Sequence, residues 1–301
     1  MKAPKLIFVT IYSQGPPYDH GRNLTQVEHE FRKHVEPYVD LYVSYAPGRL
    51  VREDPTATPS VADYTSYLED HPNRGQLGNY KSSWSRLGFL MYKPYVIRRV
   101  LSSPLMEPGD VLLYHDVDYE AYPVYIRDCE QWKSLSFDIL DSLKSDFFIP
   151  LGSTLEHDVK SYLVRKHLGE SFFKSRGVWA GIMIFRKTPL SSRFIEEWVS
   201  LSSDLDNISP LPNPNPRPKY MWHSVDQSVA GVLARRWVKD GLLPAEWFRY
   251  ELRGRCFSKG TLIDTLHFTY PFRSLVAKGV KLGLQIWRKI HHFSKVSDDS
   301  N

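Results

Sequence analysis

The sequence predicts an α/β fold, with a largely parallel sheet flanked by helices. Short apolar runs rich in β-branched and aromatic residues recur at 5–13, 39–45, 111–114, 147–150 and 181–186. Stretches with apolar residues every three or four positions separate most of them, at 24–35, 84–101, 191–201 and 224–239. Runs of strand type alternating with runs of helix type build parallel sheets covered by helices.

Each element has its own justification. The first apolar run ends at Gln14-Gly15-Pro16-Pro17, a strong breaker. The second closes at Ala46-Pro47-Gly48. Residues 52–80 are polar and turn-rich, with weak signals. In the helix at 84–101, Leu87, Leu90, Met91, Val96, Ile97 and Val100 take apolar positions, and Pro94 marks a kink or a start. The turn Pro108-Gly109-Asp110 feeds a short, fully apolar strand. Prolines 210, 212, 214, 216 and 218 alternate along 209–218, which makes that stretch an extended loop, either a lid over a ligand or a surface excursion. Residues 265–270 read as a last short strand or loop.

Composition narrows the function classes. In 301 residues, 42% hydrophobic and 24% charged content excludes a disordered or collagen-like chain, and the length suits one large domain with a modest appendage. Eighteen Tyr and eight Trp suit ring or sugar stacking as well as core filling. Two cysteines, Cys129 and Cys256, exclude a disulfide framework and a multi-thiolate zinc site, and two thiols in a reducing compartment is the preferred reading. The first apolar stretch carries a threonine and no small-residue cleavage site, so it reads as a buried strand rather than a signal peptide. No run approaches the roughly 20 apolar residues of a membrane span, and the expected location is cytoplasmic.

Charge is uneven. Residues 271–301 hold six basic residues against two acids, whereas the preceding 270 hold 33 bases against 32 acids. Phe272, Leu275, Gly279, Leu282, Ile286, Ile290 and Phe293 recur at helical spacing in this basic tail, with Trp287 on the border. That pattern predicts an amphipathic C-terminal helix, lying through 271–296 on an anionic membrane surface or packed on the body with a solvated basic face. Nucleic acid is not expected, because the body offers no second basic patch.

The candidate chemistry begins at Asp116 and Asp118, which follow the apolar run Val111-Leu112-Leu113-Tyr114. Alternation turns i and i+2 the same way. Two carboxylates at the end of a buried strand need a cation, and Mg²⁺ or Mn²⁺ takes carboxylate and phosphate oxygens together. An EF-hand loop needs glycine at its sixth position, where this chain has Ala121. Asp226 and Gln227 open a helix behind Ser224, a plausible N-cap, so the helix dipole alone would explain an acid there.

Four segments together resemble the metal-dependent glycosyltransferases of the GT-A fold. They are Lys93-Pro94-Tyr95-Val96-Ile97 followed by the stretch from Pro108 to Asp118; Trp179-Ala180-Gly181; His223-Ser224-Val225-Asp226-Gln227; and Leu266-His267-Phe268. The resemblance implies a GT-A domain over residues 1–270, with a nucleotide-sugar half at about 1–120 and an acceptor half at 121–270, followed by the 271–301 tail. It implies transfer of a sugar from a nucleotide-diphosphate donor, a UDP-sugar first, to a glycan or lipid-linked acceptor. It implies Mn²⁺ or Mg²⁺ at Asp116, Asp118 and His267, with Asp118 binding directly and Asp116 acting through water or the ribose. Thr10 and Tyr12 would meet base and ribose, and Arg86 and Lys93 the diphosphate. Trp179, Ala180, Gly181, Asp226 and Gln227 would meet sugar, with Asp226 as base if configuration inverts. Two other classes compete: a phosphohydrolase using the Asp-x-Asp pair as nucleophile and acid, and a non-catalytic sugar- or nucleotide-binding relative.

Overall fold

The computed structural model describes residues 3–12, 14, 24–54, 70, 72, 91–117, 129–209, 211, 213, 215–220, 223 and 225–249. The chain divides after Phe257, and every described residue belongs to the first unit.

The elements follow in order: β1 (Leu6–Ile11), α1 (Thr25–Val35), β2 (Leu41–Tyr45), α2 (Pro47–Glu53), α3 (Lys93–Leu101), β3 (Val111–His115), α4 (Trp132–Leu143), β4 (Phe147–Phe148), β5 (Leu151–Thr154), α5 (Leu155–Asp158), α6 (Ser161–His167), β6 (Arg176–Val178), β7 (Ile182–Arg186), α7 (Pro189–Ser203), α8 (Leu205–Ile208) and α9 (Val225–Lys239). Short 3₁₀ turns link several of them. Pro94 occupies the first turn of α3, where its missing N–H is no loss, so it starts the helix. Thr188 caps α7: its side chain accepts from the Ser191 N–H while the Ser191 hydroxyl accepts from the Thr188 N–H.

The main sheet runs β2-β1-β3-β7-β4. Strand β1 pairs in parallel with β2 and β3. Strand β7 is antiparallel to both β3 and β4. The sheet is therefore mixed rather than largely parallel. The reason is the excursion through a second, two-stranded sheet, β5-β6, from which the chain re-enters the main sheet at the carboxyl end of β3, with Ile182 opposite His115. Gly152 permits that second sheet, since a Cβ there would lie 2.3 Å from the Val178 carbonyl oxygen.

Both faces of the main sheet are covered. Alternation sends Ile7, Val9, Ile11, Leu112, Tyr114, Met183 and Phe185 into a core shared with α3, α7 and α9. It sends Leu6, Phe8, Val111, Leu113, Ile182 and Ile184 against α1 and α4, where Phe31, Val35, Trp132, Ile139 and Leu140 complete a second core. The central strands β1 and β3 are buried at every residue, which explains their continuous apolar sequence. Aromatic contacts fix the larger core: Phe194 lies 4.2 Å from Phe147 and meets Trp237 edge-on at 5.2 Å. Among the described residues, no helix is long and apolar enough to cross a membrane. The expected strand at 265–270 and the helix through 271–301 lie outside the described residues, as do residues 84–90.

Candidate functional site

Strands β1, β2 and β3 are parallel, so their carboxyl ends share one edge of the sheet, where open α/β sheets bind ligands. The antiparallel entry of β7 brings the Trp179-Ala180-Gly181 turn to the same edge, and the Asp116 N–H donates to the Gly181 carbonyl at 2.9 Å.

Lys93, in the first turn of α3, is buried beneath this edge. Its Nζ lies 2.9 Å from Asp116 Oδ2 and 3.1 Å from Asp226 Oδ2, and it donates to the Ala180 carbonyl at 3.2 Å. The Tyr114 hydroxyl donates to the other Asp116 oxygen, Oδ1, at 2.8 Å. Asp226 is 1% exposed, and burial pushes its carboxyl upward against the opposing pull of Lys93. The residue before it, Val225, has φ of 38°. A β-branched side chain in the left-handed region is strained by about 1–3 kcal/mol, and this strain sits at the first residue of α9, immediately before Asp226. Gln227, half-buried, accepts from the Ala180 N–H at 3.2 Å. The Ala180 residue is thus clamped by Lys93 at its carbonyl and by Gln227 at its amide. Trp179 lies half-exposed over Gly181, where a Cβ would come within 2.6 Å of the indole.

Beyond β1 and β2 lies a cleft of about 420 Å³, lined by Tyr12, Glu28, Arg32, Tyr42, Arg49 and Arg52 among others. Arg32 stacks over Tyr42 at 4.5 Å and donates to the Ser44 hydroxyl at 3.0 Å. Two of its three guanidiniums are paired, Arg32 with Glu28 at 3.3 Å and Glu36 at 3.7 Å, and Arg49 with Glu53 at 2.7 Å. A larger cleft of about 770 Å³ lies between α2 and the carboxyl end of α3, but its Arg98 and Arg99 meet Asp54, Glu196 and Glu53.

The structure sorts the expected site residues. Asp116, Asp226, Lys93, Trp179, Ala180, Gly181 and Gln227 converge. Tyr12 lines the arginine cleft. Thr10 does not face a ligand: it is fully buried, and its hydroxyl donates to the His115 carbonyl at 2.6 Å, tying β1 to β3. Lys93 points into the protein rather than outward to a diphosphate. Arg86, Asp118 and His267 lie outside the described residues, as does Ser224. Among the described residues, no three His, Cys, Asp or Glu side chains converge as a metal site. Both Asp116 oxygens accept one hydrogen bond, from Lys93 and from Tyr114, which leaves each a further lone pair.

Sequence reasoning missed the partners. Tyr114 was legible as a strand residue, not as a donor to Asp116. Arg32, Arg49 and Arg52 carry no motif. The described part of the proline-rich segment proves to be anchored. The Lys160 ammonium, fully buried, donates to the carbonyls of Asp206, Ser209 at 3.0 Å and Leu211 at 2.8 Å. The Ser161 N–H donates to Asn213 Oδ1, and the Arg217 N–H to the Ser161 hydroxyl. Buried His223 continues the anchor, with Nε2 donating to the Asn207 carbonyl at 2.9 Å.

No family model matches the chain, and neither a curated protein nor a solved structure is significantly similar to it.

Proposed function

We propose that the chain is a glycosyltransferase of GT-A type that uses a nucleotide-diphosphate sugar, a UDP-sugar first, and a glycan or lipid-linked acceptor. One observation carries this reading: Asp116 at the end of a central strand and Asp226 at the start of α9 converge on one lysine at the ligand-binding edge of the sheet. The cleft supports placing the nucleotide over the ends of β1 and β2, with Tyr12 as its ring partner. The half-exposed Trp179 and Gln227 supply an aromatic face and an amide for sugar hydroxyls. Asp226 faces Lys93 rather than solvent, so it shapes this floor; a base for the acceptor hydroxyl must come within hydrogen-bond reach of it.

Mn²⁺ or Mg²⁺ on Asp118 and His267, with Asp116 acting through water or the ribose, would supply the positive charge that a departing diphosphate needs. The basic 271–301 tail would hold the enzyme at an anionic membrane.

Thermal unfolding with UDP, GDP and CMP, each with and without Mn²⁺, tests the reading, because a ligand bound only to the native state raises the midpoint. A rise with one nucleotide that depends on Mn²⁺ is expected. No rise with any of them rejects the donor site and turns attention to phosphatase activity. Asp118→Asn is expected to abolish transfer; metal-dependent transfer surviving in that variant removes Asp118 from the site. Deleting residues 271–301 is expected to weaken binding to anionic liposomes, and undiminished binding rejects the anchor.

A further inference from the structure

We infer that Lys93 is a positioning residue, which locks the donor-side carboxylate Asp116, the Trp179-Ala180-Gly181 turn and the start of α9 into one rigid floor without touching the donor phosphates. The inference rests on the glycosyltransferase reading and changes the role that the sequence suggested for this lysine.

An ammonium has three N–H donors. Three acceptors surround that of Lys93: Asp116 Oδ2, Asp226 Oδ2 and the Ala180 carbonyl, all within 3.2 Å. They come from three separate parts of the chain: the end of β3, the start of α9 and the turn into β7. Lys93 itself starts α3, a fourth. The side chains are almost fully buried, at 4% exposure for Lys93, 11% for Asp116 and 2% for Asp226. A lysine that bound diphosphate would turn its ammonium to the cleft, whereas this one donates inward to Asp116 Oδ2 and the Ala180 carbonyl and lies against Asp226 Oδ2 as a buried ion pair. The charge also balances poorly without it, since two buried carboxylates would share the site with no cation between them.

A guanidinium preserves the charge but presents a flat fork, which does not match three acceptors set around one nitrogen. Lys93→Arg and Lys93→Met therefore separate position from charge.

The test has two arms. In the first, the full chain binds the diphosphate and the monophosphate of whichever nucleoside, uridine or guanosine, stabilises the wild type. Hydrolysis of the corresponding nucleotide-glucose or nucleotide-mannose with Mn²⁺ gives kcat and KM. Positioning predicts that both variants keep the diphosphate-to-monophosphate affinity ratio within about twofold, while kcat falls at least tenfold, in Lys93→Arg as well as Lys93→Met. A collapse of that ratio in Lys93→Met means direct phosphate contact and overturns the inference. Full kcat in Lys93→Arg does the same, because charge alone would then suffice.

The second arm compares unfolding midpoints and needs no substrate. Lys93→Met should lower the midpoint by roughly 10 °C, and Lys93→Met with Asp226→Asn should recover part of that loss, because the unpaired buried charge is removed with its partner. Additive losses would deny the bridge itself. A wild type that binds neither nucleotide rejects the glycosyltransferase reading and the positioning role with it, whereas a wild type that binds and turns over donor while the variants behave as phosphate-contact residues rejects the positioning role alone.

Discussion

Among the described residues two lysines are buried, and they are satisfied in opposite ways. Lys93 faces two carboxylates and one carbonyl. Lys160 faces three backbone carbonyls and no carboxylate within ion-pair distance among the described residues. Full opposite charge holds the first. Carbonyl dipoles make the direct contacts to the second, and burial drags its pKa from 10.5 down to about 7, with the more distant Asp206 and Asp204 carboxylates pulling it back up and Lys166 pushing it down. The difference teaches where each can be used. A lysine paired with carboxylates keeps fixed charges in place beneath a site. A lysine in a cage of carbonyls secures backbone, here the segment leading from α8 toward His223 and Asp226.

The comparison breaks most sharply on removal. Lys93→Met is expected to cost about 4 kcal/mol in urea unfolding, because it strands two buried carboxylates. Lys160→Met should cost less, about 2 kcal/mol, since carbonyls left behind are neutral. The reverse order would mean that Lys93 and its acids are not the tighter unit.

Tyr114→Phe sharpens the first site at a similar scale. It removes the donor to Asp116 Oδ1, a bond to an ionised group worth about 2 kcal/mol. A loss below a few tenths would show that another donor replaces the tyrosine.

The two lysines should also separate by pH. The folded-state pKa of Lys160 lies below its unfolded value, so between about 7 and 10.5 the unfolded chain binds more protons and stability rises with pH. Below 7 the folded protein bears the full penalty of a buried charge. Wild type should therefore gain on Lys160→Met as pH climbs from 7 to 10, read from paired melting curves; a constant difference denies the shift. His223 acts at the other limb: burial holds its pKa well below 6.5, with Lys160 adding to the depression, so stability falls as pH drops below 6.5.

The smallest effect belongs to the turn that Lys93 grips. Gly181→Ala sets a methyl against the Trp179 indole and should cost about 1 kcal/mol while shifting tryptophan emission. An unchanged spectrum would mean the ring does not rest on Gly181.

Much of the fold was legible because its signals are local. The strands β1, β2 and β3 appear within two residues of the expected runs, and α7 and α9 follow their apolar spacing. Helix α4 went unread although Trp132, Ser136, Ile139, Leu140 and Leu143 bury one face at helical intervals. Strand direction was not legible. Nothing in Ile182–Arg186 says that it runs against its neighbours; that follows from where the second sheet releases the chain. In the site, Asp116 and Asp226 stood out by position after a strand and at a helix start. Their meeting through Lys93, and the cage around Lys160, depend on contacts between residues 23 to 133 positions apart, which no local pattern encodes.

The order of strands in the main sheet also bears on how the protein must be made. Strand β3 lies between β1, about a hundred residues earlier, and β7, about seventy residues later. A nascent chain that has delivered only its first 120 residues holds β1, β2 and β3, but one edge of β3 is bare and the covering helices α4, α7 and α9 do not yet exist. The central strand can be sealed only after residue 186 has left the ribosome, so the two halves of the sequence are not two folding units but one, completed late.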